Sequence, residues 1–301
     1  MDDLFRLAEK LDELEKLRKA CLKTIGVIAV CELIILALVV AFYLFTGFIH
    51  RYAAALFFLP GLFSYTLAFD RRRYKKVYNS VIVRQSLERY FEIHEFNSDY
   101  GIPYGVILGT GMIRQCKSFT ANDFLQGTYK DVEFMQSDVI MRTQDPKVSR
   151  SSVTLFSGRW MIFEFNKNFV CDLLIYEKGI RFAKKGNIFS PDRLEKLQFE
   201  NMSFNEHFRA YTDNQNDAFY IVTPHIMEML EEIRENVRGD LIIIFHRNRL
   251  HIGVNNYRDA FEPPLFHPID VQSLTGEIDE DIGLITKMID GLKLDEKIYK
   301  V

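Results

Sequence analysis

Seven histidines, four cysteines and 41 acidic side chains are the raw material for any metal or acid–base chemistry in this 301-residue chain, and spacing decides whether they serve it. His246 and His251 form the closest imidazole pair, with His225 and His267 as further nitrogen donors. A zinc site sets such donors at fixed short intervals, yet no HExxH occurs and no carboxylate stands at a ligand interval beside them. Surface histidines and no metal are therefore expected. Cys21, Cys31, Cys116 and Cys171 contain no CxxC, so reduced thiols are expected, with Cys21, Cys31 and Cys171 filling apolar space. Glu200, Glu206 and Asp213 near Arg209 are the densest acid set, and alternating charges on a solvated edge account for them without catalysis. A nucleophile has no visible setting, because GxSxG and the usual cysteine-protease surroundings are missing. Gly109-Thr110-Gly111 is followed by Arg114 where a dinucleotide fingerprint needs Gly, and no GK[ST] occurs, so these are turn glycines. No cofactor is expected.

Aromatic residues offer a different chemistry, that of contact. Trp160 runs with Phe156, Phe163, Phe165 and Phe169, and Phe199, Phe204, Phe208 and Phe219 follow. Strand-period spacing favours an aromatic core, while a groove for a peptide or lipid is the functional reading. The candidate binding surface drawn from this region is Trp160, Phe163, Phe208, Tyr211, Asp213 and Gln215.

The elements that must position these residues begin with a membrane anchor. Residues 25–49 are nearly all apolar and exceed the roughly 20 residues that cross a bilayer. After His50 and Arg51, a second run at 52–69 is just long enough to return, so a transmembrane helical hairpin is expected. Acidic residues before the first run and its length argue against a cleaved signal peptide. Lys16, Arg18, Lys19 and Lys23 precede the first span, and Arg71, Arg72, Arg73, Lys75 and Lys76 follow the second, with only Arg51 between. Retention of cations on the cytoplasmic side is expected to place both termini in the cytoplasm. Those five cations after the second span are expected among lipid phosphates, at about 1 kcal/mol each on an anionic surface. Glu32 is costly in hydrocarbon unless protonated or partnered, and counting inward on antiparallel helices sets it level with Gly61, Ser64 and Tyr65. A structural hydrogen bond is expected there, since a relay would need further polar groups along a path.

Outside the bilayer, Leu4, Leu7, Leu11 and Leu14 mark residues 1–23 as an amphipathic helix, whose apolar stripe suits either packing on the chain itself or self-association. Residues 70–96 read as a basic, then amphipathic, juxtamembrane helix with Tyr74, Val77, Val81, Leu87 and Phe91 inward. From 97 to 301 the pattern is that of a cytosolic mixed α+β domain with mainly antiparallel strands. Strands are expected at 112–117, 129–135, 139–143, 153–165, 170–176 and 197–200, with a short helix at 120–125 where Thr120 and Asp123 have capping-box-like spacing. Thr223-Pro224 is an N-cap and first-turn pair opening a helix, residues 240–245 and 250–254 form a hairpin, and residues 278–292 form a closing helix.

These residues carry a resemblance. Phe156-x-Gly158, Phe163-x-Phe165-Asn166-Lys167, Phe204-x-Glu206-x-Phe208-x-x-Tyr211 and Asp213-x-Gln215-x-x-Ala218-x-Tyr220-Ile221-x-Thr223-Pro224-x-x-Met227 resemble the bacterial family catalogued as domain of unknown function 3137, often labelled galanin in genome listings. Asp123-x-x-x-Gly127-x-Tyr129 is similar to that family's entry strand, and the resemblance covers roughly residues 110–255. It implies a membrane-anchored cytosolic domain and carries over no catalytic residues, since the family's role is not established. Phe219 departs from it, because similar sequences often carry a basic residue there.

With 48% hydrophobic residues the chain is not disordered as a whole, and 38 basic against 41 acidic residues argue against nucleic acid as a partner. The expected partners are the lipid bilayer, a protein and possible further copies of the chain. The leading expectation is a non-enzymatic membrane-proximal scaffold or sensor whose cytosolic domain binds a protein. The alternative is a tethered enzyme acting on a lipid head group, nucleotide or peptide through the Glu200 to Asp213 acids or the His246 and His251 turn.

Overall fold

The computed structural model describes residues 2–46, 61–144, 152–165, 168–178, 193–268 and 271–294. It divides into two compact units, Met1–Gln85 with Glu262–Gly276 and Ser86–Phe261 with Glu277–Val301.

The first unit is built on helix α1 (Asp2–Thr46), which carries the charged amphipathic segment directly into the apolar one. No proline interrupts this stretch, and residues 25–46 alone rise about 33 Å at 1.5 Å each. By length and composition this helix can cross a membrane: its most apolar window has a mean hydropathy of 2.9, and none of that window is buried. Helix α2 (Gly61–Tyr78) packs along α1. Arg73 reaches Glu13 at 3.8 Å, and the Thr24 hydroxyl donates to Asp70 at 3.4 Å, so the two helices run antiparallel and the edges of their apolar stretches are level. Residues 47–60, which include His50, Arg51 and most of the expected second span, lie outside the described residues.

The single helix expected over 70–96 is corrected. It passes from α2 into a π-helical turn (Asn79–Val83) and the short α3 (Arg84–Leu87), then gives way to strand β1 (Glu92–Asn97). Tyr74, Val81, Leu87 and Phe91 are buried as expected. Helical propensity beyond Leu87 is overridden because β1 finds a ladder, Glu92 opposite Thr128 through Asn97 opposite Phe124.

The second unit is mixed α and β around one antiparallel sheet. Its strands after β1 are β2 (Ser118–Tyr129), β3 (Val132–Gln144), β4 (Ser152–Glu164), β5 (Leu173–Glu177), β6 (Glu195–Leu197), β7 (Phe208–Thr212), β8 (Asp240–His246) and β9 (Arg249–Asn255). The order across the sheet is β1-β2-β3-β4-β9-β8-β5-β7-β6. The expected β8–β9 hairpin turns at Arg247-Asn248 and pairs His246 with Arg249. Lys130 and Asp131, both with positive φ, make the two-residue turn between β2 and β3, which splits the run expected at 129–135.

Two local expectations fail for the same reason. The helix expected at 120–125 is part of β2, because ten ladder pairs with β3 outweigh one capping-like spacing. Asp123 there is a bulge residue, at φ 55°, where the register with β3 shifts. Residues 112–117 are irregular and not a strand, yet Met112, Ile113 and Cys116 are buried in the core. The glycine-rich stretch before them encloses a helix, α4 (Tyr104–Leu108), ahead of Gly111 at φ 70°.

That core lies on one face of the sheet, where Phe156, Trp160, Ile162, Leu174, Ile242 and Ile244 meet Ile102 and Ile107. Residues of opposite parity, Leu241, Ile243 and Phe245, are equally buried, as period-two alternation requires of a sheet covered on both faces. Around it stand α5 (Met202–His207), α6 (Gln215–Ile221), α7 (Pro224–Asn236) and the stripe Ile282, Ile285 and Ile289 of α8 (Val271–Gly291). Thr223 caps α7 by accepting from the Ile226 amide at 3.4 Å, with Pro224 following, as the sequence predicts.

Candidate functional site

In the first unit, the cations of α2 divide by partner. Lys75 bonds Glu262 at 2.8 Å, Arg71 approaches the same carboxylate at 3.5 Å, and Arg73 reaches Glu13. Arg72 and Lys76 are exposed and have no ion-pair partner among the described residues. The chain at 262–265 is further held by Tyr74, whose hydroxyl donates to the Pro264 carbonyl at 2.7 Å, and by Arg18, which donates to the Leu265 carbonyl at 3.0 Å. Arg18 interrupts the leucine series because it is a buried bridge: it also forks onto Glu15 at 2.6 and 2.8 Å. That fork holds the Glu15 carboxyl down at about 2. Glu32 is half-buried on α1; the side chain of Ser64 lies outside the described residues, and Tyr65 is 80% exposed.

In the second unit, the six residues of the expected binding surface separate. Trp160, Phe163 and Phe208 are buried and offer no surface, a correction that follows from their inward positions in β4 and β7. Gly253 on β9 makes room for Trp160: a Cβ at Gly253 would meet the indole at 3.0 Å. Tyr211 is half-buried and stacks on Tyr176 at 6.0 Å. Asp213 and Gln215 are exposed and tie chain segments together, Asp213 accepting from the Asp172 amide at 2.9 Å and Gln215 donating to Glu195 at 3.2 Å. The motif glycine Gly158 is equally structural, with φ 153° and the Val254 carbonyl 2.1 Å from where a Cβ would sit.

The two turn histidines do not converge. His246 pairs with Asp172 at 2.7 Å, whereas His251 is buried and accepts from the Trp160 indole at 3.3 Å. Burial, with Arg249 and His246 nearby, presses the His251 imidazole down to about 3, so it is neutral. The described residues hold no group of three or more His, Cys, Asp or Glu that could bind a metal. Cys171 is a buried thiol pushed up to about 11 by burial, hence inert.

Sequence reasoning missed a buried polar centre, and it placed the groove that Phe199 and Phe219 form behind an aromatic-core reading. Asp138, mid-strand in β3, accepts from the Ala260 amide, while Arg159 donates to Asp281 at 2.6 Å and to its carbonyl at 2.7 Å. Burial raises the Asp138 carboxyl to about 7 against the opposing charge of Arg159. The signal in the sequence was Gln136-Ser137-Asp138, three polar residues in a row between the apolar Phe134-Met135 and Val139-Ile140-Met141.

The groove is a cavity of about 360 Å³ lined by Phe199, Glu200, Asn201, Phe219, Val222, Pro224 and Met227. Asn205 pins one wall through the Phe199 amide at 3.1 Å and the Asn201 carbonyl at 2.8 Å, and Asn201 caps α5 by accepting from the Phe204 amide at 3.0 Å. Phe219 stands edge-on to Phe199 at 5.7 Å and is still 46% exposed. Its neighbour Tyr220 and Met202, next to Asn201, are 80% and 78% exposed. In α6, Ala218 and Ile221 take the inward positions, which leaves this aromatic pair outside. Such an arrangement holds an apolar side chain beside a carboxylate; of the expected acid set, Glu200 alone lines it.

Three comparisons bear on this geometry. No curated protein matches the chain. Among solved structures, the crystal structure of the mycobacterial trehalose monomycolate transport factor A, TtfA, is similar over 70% of this chain and 94% of its own, at 9% identity and a TM-score of 0.35, a likeness that carries no argument. The family model described as "Protein of unknown function (DUF3137)" matches residues 154–294, from β4 through the groove to α8. Over this region the chain is similar to that family.

Proposed function

We propose that the protein is a membrane-anchored scaffold or sensor whose α+β unit works in the bacterial cytoplasm by binding a protein partner. The observation that supports this most is α1 itself, in which a helix long enough to cross a bilayer leaves its most apolar window wholly unburied. A core helix of a soluble protein would bury that face. The hairpin reading draws on α2 lying antiparallel to α1, with Thr24 and Asp70 bonded where both apolar stretches begin. Two spans with cations on the same side put both termini in the cytoplasm, and Arg72 and Lys76 then face lipid phosphates. Tethering raises the local concentration of whatever the second unit binds and restricts its orientation, so a weak contact suffices.

The test is made on intact membranes. The chain is expected to stay in the membrane pellet after alkaline carbonate washing, and photocrosslinkers on the second unit are expected to give discrete protein adducts. A chain released by carbonate sinks the anchor; a retained chain with no adducts from any position of the second unit sinks the partner.

A further inference from the structure

We propose that the groove of the second unit is a docking site for a basic amphipathic segment of a partner protein, with an apolar side chain seated on Phe199 and Phe219 and flanking Lys or Arg on the acidic rim. This deepens the partner-binding reading above and rests on it. The cavity is apolar on five of its seven lining residues, Phe199, Phe219, Val222, Pro224 and Met227, and its lone charge is the Glu200 carboxylate. Exposed Met202, Phe219 and Tyr220 extend the apolar surface beside its walls, and apolar side chains grouped around a cavity mark an interaction site more than scattered ones do.

Charge complementarity chooses the occupant. Residues 195–235, which form the groove and its surroundings, contain nine Asp or Glu against three Lys or Arg. One of those three cations, Arg234, is already committed to Glu177 at 2.7 Å. Exposed Glu200, Glu206, Glu228 and Glu232 leave a negative field around an apolar centre. Such a field repels an anionic bilayer or an acidic peptide and draws in a cationic one. A basic segment that brought no apolar residue would leave the cavity unfilled, so the segment must carry both. An amphipathic helix with one apolar stripe and cationic flanks meets that description.

The experiment uses the full chain in nanodiscs of phosphatidylcholine alone, with empty nanodiscs as the blank. Three fluorescent 14-residue peptides are titrated by anisotropy: leucines at helical spacing with lysine flanks, the same with glutamate flanks, and a lysine peptide with the leucines replaced by serine. Only the first is expected to bind. Glu200→Lys and Phe219→Ser should each weaken it at least ten-fold, and Asp279→Lys on α8 should leave it within two-fold. The fluorescence of Trp160, the one tryptophan, reports whether a variant is folded; should Phe219→Ser unfold, Phe219→Leu with Glu200→Lys decides.

Equal binding of the glutamate peptide, or binding unmoved by Glu200→Lys, overturns the proposal. So does lack of binding by any peptide. Phosphatidylglycerol vesicles that compete through the groove would make the occupant a lipid surface. Self-association lost in Phe219→Ser would make it a second copy. Either result overturns this inference while adducts on intact membranes, formed at other positions, would leave the partner reading standing.

Discussion

The apolar end of α1 in the first unit and the sheet of the second unit place apolar residues under opposite rules. In α1, Leu44 and Phe45 are 78% and 92% exposed, whereas in the second unit Phe156, Trp160 and Phe163 are fully buried. A chain in water hides such side chains wherever it can, since each buried Leu or Phe is worth about 1.5–3 kcal/mol. Under the anchor proposed above, the two rules would reflect two solvents, lipid around the apolar part of α1 and water around the second unit.

This contrast can be broken most forcefully at Trp160. Trp160→Ala should destabilise the second unit by about 3–5 kcal/mol in urea melts followed by circular dichroism, because Phe156 and Gly253 are moulded to the indole. A melt unchanged by that substitution would remove the core reading of the aromatic run. In the first unit, Leu38→Ala should change the melt of the detergent-solubilised chain by less than about 0.5 kcal/mol, because the side chain is 61% exposed and has no protein core to leave. A loss of several kcal/mol there would mean that α1 is packed on protein.

Titration sharpens the contrast at intermediate size. The His251 imidazole is held at about 3 against an ordinary 6.5, so the unfolded chain takes a proton that the native one refuses, and stability falls as pH drops through that window. Asp138 has the reverse sign: raised to about 7 from an ordinary 3.8, it keeps a proton in the native state, and stability falls as pH climbs from 3.8 to 7. The two offset each other between pH 4 and 6.5. His251→Gln should leave a slope of up to about 1.4 kcal/mol per pH unit, stability rising toward acid, and Asp138→Asn the opposite slope, both read from urea midpoints. Equal slopes in both variants would rule this pairing out. The smallest effect is expected at Thr223→Ala, about 1 kcal/mol from the lost α7 cap.

How much of this was legible in the sequence varies with the range of the interactions involved. The α7 cap, the β8–β9 hairpin and the apolar stretch of α1 were readable because each is set by residues within a few positions of one another. The strand at Glu92–Asn97 and the 120–125 part of β2 were not, since a helix-like local pattern there yields to ladders formed with distant residues. Strand-period spacing rightly favoured a core for Trp160, Phe163 and Phe208, yet they also stood in the candidate binding surface, because period-two spacing does not say that both faces of a sheet are covered. The groove was legible only as a less favoured reading of the aromatic set, because its walls are joined by Asn205 and by the Phe199 to Phe219 contact, which no spacing rule expresses. Phe199 and Phe219 had been named together as possible groove aromatics, with core placement preferred.

The sheet order has one more consequence, for how the molecule is made. Strands β9 and β8 sit between β4 and β5, so the middle of the sheet is supplied by residues that leave the ribosome after both of its shoulders. Roughly 90 residues separate the end of β4 from the end of β9, about 5–18 s of translation at 5–20 residues per second. Throughout that interval the long edge of β4 has no neighbour on one side, and a ribosome stalled before codon 240 would leave a growing chain with its keystone missing.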